Sequence, residues 1–541
     1  MATGDTGAPA QAERSERLNT RAAGVVGLAV LCSRILGLAR EQIFAALFGG
    51  GRVMDAFTIA FRIPNLLRDL FAEGALSTAF VTVFTRTAAT EGSTAAWRLA
   101  NKVTTLAAVT LSAITVLGIL SATWLVALLA PGFDAEKAAL TVTLTRVMYP
   151  FILLVSLAAL VMGMLNSRNV FGVPAMASSF FNLGSIIAGV VLGYWLDPHF
   201  GPRAILGLAI GTLVGGALQL LVQLPSLAGQ GYRFRPDFHW RDAHVRSLLR
   251  LMGPSVIAAS STQVNVLVNS VFASELGDGP TFWLTVAFRL MQLPLGIFGV
   301  ALGTVALPLL ARMAAAGNMP NFRSELARGM RLAFLMTIPA SVGLMVLAEP
   351  IISVLYQHGR FGAYETAESA GALRFYAIGL CGYAALKVLV NAFYAIDRRK
   401  TPMVVSFLAV ALNLLLNYVF TRQLHWGHRG LALSTACVAS SNFLILYFLM
   451  RSHLGRLESR AMLTLLAKVA LASLVLLLLT WAGAEVLLEN WATEAFWPKC
   501  LSLALVIALG AAGFFLTAAA LRIAEVQDLT AALRRRLRRA R

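Results

Sequence analysis

Apolar segments long enough to cross a membrane follow one another along most of the chain, separated by short polar loops. Each is about twenty residues or longer, the length that an α-helix needs to span the hydrocarbon core of a bilayer. A transmembrane β-barrel would instead show strands of about ten residues with alternating polarity. The pattern predicts an all-α polytopic membrane protein with about fourteen spans. The predicted spans are residues 23–48, 54–84, 103–130, 139–166, 173–195, 204–228, 249–276, 282–311, 331–356, 369–396, 402–421, 429–450, 461–488 and 499–522.

Composition agrees with this class. Hydrophobic residues make up 58% of the chain and charged residues only 13%, whereas the exterior of a soluble protein is rich in charge. The net charge of +19 does not indicate nucleic acid, because basic loops of a membrane protein account for it. Four widely spaced cysteines show no metal-binding or disulfide spacing and are expected to be small buried side chains: Cys32, Cys381, Cys437 and Cys500.

The loop charges predict an orientation. Basic residues concentrate in alternate loops, such as residues 231–250 and 398–400, while the opposite loops carry acids such as Asp134 and Glu136. By the positive-inside rule, the basic loops and both termini lie in the cytoplasm. The basic tail that begins at Arg534 is expected to contact anionic lipid headgroups. The loop charges therefore predict a multi-pass membrane protein with both termini on the cytoplasmic side.

An internal repeat divides the chain into two similar halves. Ala60-Phe61-Arg62 recurs 227 positions later as Ala287-Phe288-Arg289, and Arg146 is matched by Arg374. The period covers an even number of spans, so both halves cross the membrane in the same sense. Transporters with such parallel repeats bind substrate between two lobes. We expect two parallel six-helix lobes.

The predicted organisation follows from the repeat and the loops. It comprises a cytoplasmic tail (1–22), an N-lobe of helices 1–6 (23–230), a basic cytoplasmic linker (231–248), a C-lobe of helices 7–12 (249–452), two extra helices 13–14 (453–522) and a basic cytoplasmic tail (523–541).

The first two spans carry an unusual number of charges. A charged side chain at membrane depth costs roughly 2.5–3.5 kcal/mol on insertion scales, and it persists where it faces a cavity, a partner charge or a ligand. Guanidinium groups pair bidentately with phosphate oxygens, so the arginines point to a diphosphate cargo. The alternative is that they form internal salt bridges with the neighbouring acids. The charges are Arg34, Arg40, Glu41, Asp55, Arg62, Arg68, Asp69 and Glu73, with Arg289 at the matching place in the second half.

Other polar positions in the spans leave two interpretations open. Lys387 is either a coupling or cargo residue, or a lysine that is satisfied by a carbonyl or reaches the interface. Asn413 and Asn417 share a helix face and either ligate a cation or form an interhelical hydrogen bond, which we favour. Gly211 and Gly215 are expected to permit close helix packing.

Enzyme motifs are missing from the sequence. It contains no HExxH, no GxSxG and no Walker loop. A transporter is therefore the favoured class, driven by a gradient or by its cargo rather than by ATP.

Several stretches together resemble one family, the MurJ (MviN) lipid II flippases. The likeness is densest between Arg34 and Phe80 and extends over nearly the whole chain. The stretches that carry it are Ser33–Arg40, Asp55–Phe57, Pro64–Arg68, Phe71–Ser77, Met252–Pro254, Arg289–Pro294, Gly299–Thr304 and Leu355–Phe361.

The resemblance implies a transporter of the multidrug/oligosaccharidyl-lipid/polysaccharide exporter superfamily in a bacterial cytoplasmic (inner) membrane, with its two six-helix lobes in a V-shaped, alternating-access arrangement. Such a protein moves lipid II, the undecaprenyl-diphosphate-linked disaccharide pentapeptide, from the cytoplasmic to the periplasmic leaflet for cell wall synthesis. Helices 13–14 would form a groove for the lipid tail. The resemblance implies substrate binding by Arg34, Arg40, Arg68 and Arg289, with Asp55 as a further functional acid. The residues that we assign to gating or charge balance are Glu41, Asp55, Arg62, Glu73, Gln292 and Lys387.

The sequence departs from the family pattern at three positions, and rival functions stay open. Glu41 stands where aspartate is common, Thr82 where proline is expected and Gln292 where some members have glutamate. No cofactor, catalytic residue or metal ligand is implied; coupling to the membrane potential or to a cation is open. The rivals are an exporter of another polyprenyl-linked glycan or drug, a membrane glycosyltransferase and a non-transporting cell-wall scaffold. Expected partners are lipid II and membrane lipids, with the cell-wall synthesis machinery as a further candidate and no nucleic acid.

Overall fold

The computed structural model describes residues 8–69, 76–296, 300–488 and 496–527. It divides the chain into two compact units, Met1–Gln263 and Val264–Arg541, with the boundary inside one helix. Glu73 and the basic tail from Arg534 onwards lie outside the described residues.

Helices form almost all of the first unit. They are α1 (Ala8–Phe48), α2 (Arg52–Arg68), α3 (Ser77–Thr90), α4 (Ser93–Leu129), α5 (Ala135–Met148), α6 (Phe151–Asn166), α7 (Gly172–Leu196), α8 (Ile205–Leu221), α9 (Leu224–Gly229) and α10 (Ala243–Ser274), which continues into the second unit.

The second unit is also helical. Its helices are α11 (Pro280–Pro294), α12 (Val300–Ala315), α13 (Met319–Val346), α14 (Ala348–Tyr356), α15 (Ala363–Ile378), α16 (Leu380–Ala395), α17 (Lys400–Tyr418), α18 (Gly427–Leu454), α19 (Ser459–Leu487) and α20 (Phe496–Ala520). A short π-helical segment, Val419–Gln423, extends α17.

Nine helical segments of the described chain are long and apolar enough to cross a membrane, and the bent pair α15–α16 would make ten. Their outer surfaces are apolar, as lipid contact requires: Trp124 is 81% exposed and Trp195 is 79% exposed. The all-helical polytopic membrane fold is therefore confirmed. The remaining predicted spans, 23–48, 54–84, 249–276 and 282–311, coincide with α1–α3 and α10–α12 and stay predictions as single membrane crossings.

The internal repeat is visible in the spacing of the helices. Helices α2, α5 and α7 begin at positions 52, 135 and 172, and α11, α15 and α17 begin at positions 280, 363 and 400, each 228 residues later. The period inferred from short sequence matches therefore describes the order of helices in both units. The lobe boundaries themselves stay predictions.

Glycines bring α7 and α8 close together. A Cβ atom added to Gly211 would lie 2.5 Å from the backbone nitrogen of Gly189, and one added to Gly207 would lie 2.2 Å from that of Gly193. No side chain fits at those distances, so the two backbones meet where only glycine can stand. The close packing predicted for Gly211 is confirmed.

A buried hydrogen-bond network joins α10, α17 and α18 in the second unit. The Nδ2 atom of Asn417 donates to Oδ1 of Asn269 at 2.8 Å and to Oδ1 of Asn413 at 3.3 Å. Asn413 in turn donates to Ser434 Oγ at 3.2 Å, and Asn269 to Thr435 Oγ1 at 3.1 Å. Asn413 and Asn417 thus form the interhelical hydrogen bonds that we favoured.

The last two helices pack against α13. An apolar cluster that includes Leu335, Val469 and Phe514 fills this contact. Arg331 of α13 donates to Glu525, which follows α20, at 2.6 Å and also to Glu458 at the start of α19. Arg331 therefore joins α13 both to the start of α19 and to the residue stretch that follows α20.

Candidate functional site

The predicted site residues that the structure describes lie on four helices. In the first unit, α1 carries Arg34, Arg40 and Glu41, and α2 carries Asp55, Arg62 and Arg68; in the second unit, α11 carries Arg289 and Gln292, and α16 carries Lys387.

Arg34 is exposed and forms no hydrogen bond or ion pair with the described residues of its own unit. Helix α7 holds α1 at this level, because Asn182 Nδ2 donates to the carbonyl oxygen of Ser33 at 3.1 Å. The same amide donates to the Ser178 carbonyl, also at 3.1 Å, which orients it along α7. This contact fixes the position of the neighbouring Arg34 along α7, and the side chain of Arg34 stays exposed.

Arg40 lies about one and two-thirds turns further along α1. Its guanidinium carbon is 5.0 Å from the ring centroid of Phe181 and 5.9 Å from that of Phe61. Both rings belong to an apolar cluster around the buried side chain of Phe151. A guanidinium at this distance is attracted by the ring quadrupole, so aromatic packing orients Arg40. Neighbouring Glu41 is partly buried.

Arg68 lies at the C-terminal end of α2 beside Asp69. Its Nη2 and Nε atoms donate to Asp69 Oδ1 at 2.9 and 3.2 Å. Gln263 of α10 donates to the other oxygen of Asp69 at 3.3 Å. Asp69 therefore positions the Arg68 guanidinium, and Gln263 positions Asp69.

Asp55 forms a buried ion pair that the sequence did not lead us to expect. Lys137 Nζ donates to Asp55 Oδ2 at 2.9 Å, and the side chains are 2% and 0% exposed. The Lys137 ammonium also lies 4.1 Å from the centroid of the Phe133 ring. Lys137 precedes the predicted span 139–166, but α5 begins at Ala135, and Asp134, three positions before Lys137, is its N-cap. That cap signal places Lys137 in the first helical turn.

A second, more exposed ion pair joins the same two helices at their first residues. Arg52 at the start of α2 donates to Asp134 Oδ2 at 2.6 Å and to Glu136 at 3.3 Å. Asp134 also accepts the backbone N–H groups of Glu136 and Lys137. The hydrogen bond from Arg52, followed by the N–H of Lys137, lowers the pKa of Asp134 to about 2. Two ion pairs, one turn apart, thus fasten the start of α2 to the start of α5.

The second unit fastens the corresponding helices differently. Phe282 of α11 lies edge-to-face against Phe361 at 6.3 Å between centroids, and Trp283 against Tyr364 of α15 at 5.6 Å. Aromatic rings therefore join α11 to α15 at the end where ion pairs join α2 to α5.

The other predicted residues differ in their exposure. Arg62 and its repeat counterpart Arg289 are partly buried, and both form interactions within the protein. Gln292 and Lys387 are exposed. Among the described residues, no group of three or more histidine, cysteine, aspartate or glutamate side chains could hold a metal ion.

Comparison with known proteins decides the family. The family model described as lipid II flippase MurJ matches residues 44–502. The chain belongs to this family. It is accordingly a polytopic membrane transporter rather than an enzyme.

Individual relatives agree over most of their length. The lipid II flippase MurJ of Burkholderia cenocepacia is 37% identical over 429 residues, which is 78% of this chain and 82% of the relative. The probable lipid II flippase MurJ of Vibrio cholerae is 33% identical over 521 residues, 94% of this chain and 97% of the relative.

Solved structures show the same fold. A lipid II flippase MurJ in an inward closed conformation has a TM-score of 0.73 and 26% identity, and the match covers 91% of this chain and 98% of that one. An inward-facing multidrug resistance MATE transporter of the MOP superfamily has a TM-score of 0.68 at 16% identity, covering 79% and 96%. This second likeness concerns the fold alone.

Proposed function

We propose that this chain translocates lipid II, the undecaprenyl-diphosphate-linked peptidoglycan precursor, from the cytoplasmic to the periplasmic leaflet of the bacterial inner membrane. Membership of the lipid II flippase family is the observation that carries this function. The translocated precursor then serves cell wall synthesis on the periplasmic side.

Arginines bind the diphosphate in this proposal. Arg34 supports the role best, because it is exposed and its guanidinium has no partner among the described residues of the first unit. Arg40 and Arg68 are oriented by aromatic rings and by Asp69, respectively. Arg289 supplies the equivalent cation from the second half. Guanidinium forks suit a diphosphate because each can donate two parallel hydrogen bonds to phosphate oxygens.

The N-lobe and the C-lobe move as rigid bodies that open the site to one leaflet at a time. Inside the N-lobe, the ion pairs between α2 and α5 and the glycine contact between α7 and α8 support such rigidity. Glu41, Asp55, Arg62, Glu73, Gln292 and Lys387 act in gating or charge balance. The undecaprenyl tail lies in a groove formed by α19 and α20, whose outer faces expose Leu471, Leu478 and Leu516.

Orientation and driving force complete the proposal. Both termini lie in the cytoplasm, as the basic loops indicate. The membrane potential or a cation gradient drives the cycle; one elementary charge that crosses the field is worth about 2.3 kcal/mol per 100 mV. Measuring lipid II translocation in cells with and without membrane potential, after depletion of this protein, separates a potential-driven cycle from one driven by cargo.

Substitution of the arginines tests the binding role. Arg34→Ala, Arg68→Ala and Arg289→Ala are each expected to abolish complementation of a flippase-depleted strain while the protein still inserts. Arg422→Ala is the matched control, because Arg422 is an exposed arginine paired with Glu275 outside the proposed site. Wild-type complementation by all three substitutions would refute the role of the arginines.

A headgroup accessibility assay tests the substrate. Lipid II should reach the outer leaflet at a rate that depends on this chain, and other polyprenyl-linked glycans should not. Equal transport of both would instead identify a general exporter of polyprenyl-linked glycans.

A further inference from the structure

A non-helical segment between α9 and α10, residues 231–242, lies along α4; we call it the strap. The backbone N–H of Arg235 donates to Asn101 Oδ1 at 3.2 Å, and that of Asp237 donates to Thr105 Oγ1 at 3.1 Å. Asn101 and Thr105 are one helical turn apart on α4. The strap therefore follows the axis of α4 and is held by its backbone, which leaves its side chains for other contacts.

Both ends of the strap are anchored. Near its start, the ring of Tyr232 packs against Trp97 with 5.3 Å between centroids. At its end, Lys102 donates to Asp242 at 2.6 Å. The strap is thus a fixed surface feature of the first unit rather than a loose connection.

Charge on the outer side of the strap is strongly positive. The two acids of the strap are engaged internally, since Asp242 pairs with Lys102 and Asp237 accepts the N–H and a ring nitrogen of His239. The exposed arginines on the strap and on the first turns of α10 are Arg233, Arg235, Arg241, Arg246 and Arg250.

Two large aromatic side chains stand among these arginines. Phe234 is 51% exposed and Phe238 is 63% exposed. Phe234 lies between Arg233 and Arg235, and Phe238 lies three residues from Arg235 and from Arg241. Alternation of cationic and aromatic side chains is typical of segments that lie in a membrane interface, where rings enter the acyl boundary and cations meet anionic headgroups.

The position of the strap along α4 places it at the level of the membrane interface. Helix α4 has 37 residues, a length of about 55 Å, whereas the hydrocarbon core needs only about twenty residues. The predicted apolar span begins at residue 103, between the two strap contacts at Asn101 and Thr105. Phe238, next to Asp237, therefore lies at the level where the apolar part of α4 begins.

We propose that the strap is a binding surface for anionic phospholipid headgroups, with Phe234 and Phe238 entering the interface beside them. The arginines of the strap and of the start of α10 bind the headgroup phosphates. This lipid-binding role is separate from the transport of lipid II, and it rests on the proposed cytoplasmic position of residues 231–248. Because the strap joins α9 to α10, the bound lipids also hold the connection between the two halves at the membrane surface.

Spin labelling of the full-length protein tests the depth. The label is attached at Phe238→Cys in a variant whose four native cysteines are alanine, reconstituted in vesicles that contain phosphatidylglycerol. Thr94→Cys is the matched control, because Thr94 is exposed on α4 and lies about 16 Å along the helix from Thr105, towards water. We expect the label at 238 to be more accessible to oxygen than to a nickel chelate, and the label at 94 to show the reverse. Equal accessibility of both labels to the chelate would overturn the proposal.

Titration with phosphatidylglycerol tests the charge. Native mass spectrometry of the full chain would compare Arg233→Gln/Arg235→Gln/Arg241→Gln with the control Arg203→Gln/Arg360→Gln/Arg422→Gln, which removes three exposed arginines from loops predicted to lie on the opposite side of the membrane. Each arginine near an anionic surface contributes about fivefold in affinity, so the strap variant should bind phosphatidylglycerol about a hundredfold more weakly. Phosphatidylcholine binding should not change. An equal loss in the control, or no loss in the strap variant, would refute the assignment.

Discussion

Replacing Lys137 with methionine would leave the carboxylate of Asp55 buried beside an apolar side chain. The methionine keeps much of the volume of lysine, so packing changes little while the ion pair is lost. Asp55 has no exposed surface, and Lys137 is 2% exposed, so water does not replace the missing ammonium in the folded protein. The substitution therefore measures what the Lys137 ammonium contributes to keeping the Asp55 carboxylate charged and buried.

The expected cost is large for a single side chain. Removal of one partner from a buried ion pair destabilises a protein by about 3–5 kcal/mol. The first unit has 263 residues, and in domains approaching this size a loss of 1 kcal/mol lowers the melting temperature by about 2–4 °C. Lys137→Met should thus lower the melting temperature of the first unit by about 10 °C.

Thermal unfolding of the purified protein in detergent measures this effect. The double variant Asp55→Leu/Lys137→Met removes both charges, and its stability should return close to that of the wild type, because apolar replacement of a whole buried pair is often neutral or stabilising. Arg422→Met is the control. It breaks the exposed pair with Glu275 and should cost less than about 1 kcal/mol.

Two results would contradict this reasoning. If Lys137→Met melted within the range of the control, the pair would not be buried as the structure shows. If the double variant were less stable than Lys137→Met alone, the two charges would act independently rather than as a pair.

Three further variants test other contacts. Gly211→Ala should prevent stable accumulation in the membrane because its Cβ atom would lie 2.5 Å from a backbone nitrogen, whereas Gly229→Ala, with nothing within 4 Å of the new atom, should accumulate normally on an immunoblot. The pKa of Asp134 is lowered from its usual 3.8 to about 2, so this carboxylate stabilises the fold at pH values above 3.8, and the stabilisation is lost as the pH falls through about 2. Because the hydrogen bond from Arg52 is the main cause, Arg52→Gln should raise the midpoint pH of acid unfolding, followed by circular dichroism. Asn417→Leu should destabilise the second unit in thermal unfolding by about 1–3 kcal/mol, because partners of a fully buried amide lose their hydrogen bonds.

Much of the fold could be predicted because its strongest determinants are local. The length of each apolar run predicts a spanning helix without reference to any other helix, and the repeat appears as a fixed offset between Arg62 and Arg289. The close approach at Gly211 was also predictable, since glycines at helical spacing offer no side chain to separate two backbones. The second predicted span, 54–84, was the least clear, because Arg62-Ile63-Pro64-Asn65 interrupts its apolar pattern.

The candidate site was only partly predictable because its contacts join distant parts of the chain. Asp55 stood out as a charge in an apolar span, but its partner is 82 positions away. Lys137 gave one usable signal, its place three residues after the capping residue Asp134. The aromatic contact of Arg40 gave none, since Phe181 belongs to the fifth predicted span and its orientation depends on packing.

Comparison of the same helix pair in the two units shows whether the fold requires the buried charges. The same helix pair is joined by ion pairs in the first unit and by aromatic rings, such as Phe282 with Phe361, in the second. Packing of this pair therefore does not demand charge, and a buried ion pair is weak evidence for a stabilising role. We expect the double variant Asp55→Leu/Lys137→Met to regain stability yet fail to complement a flippase-depleted strain, as a gating or charge-balancing acid would require. Full complementation would show instead that Asp55 serves only to neutralise Lys137.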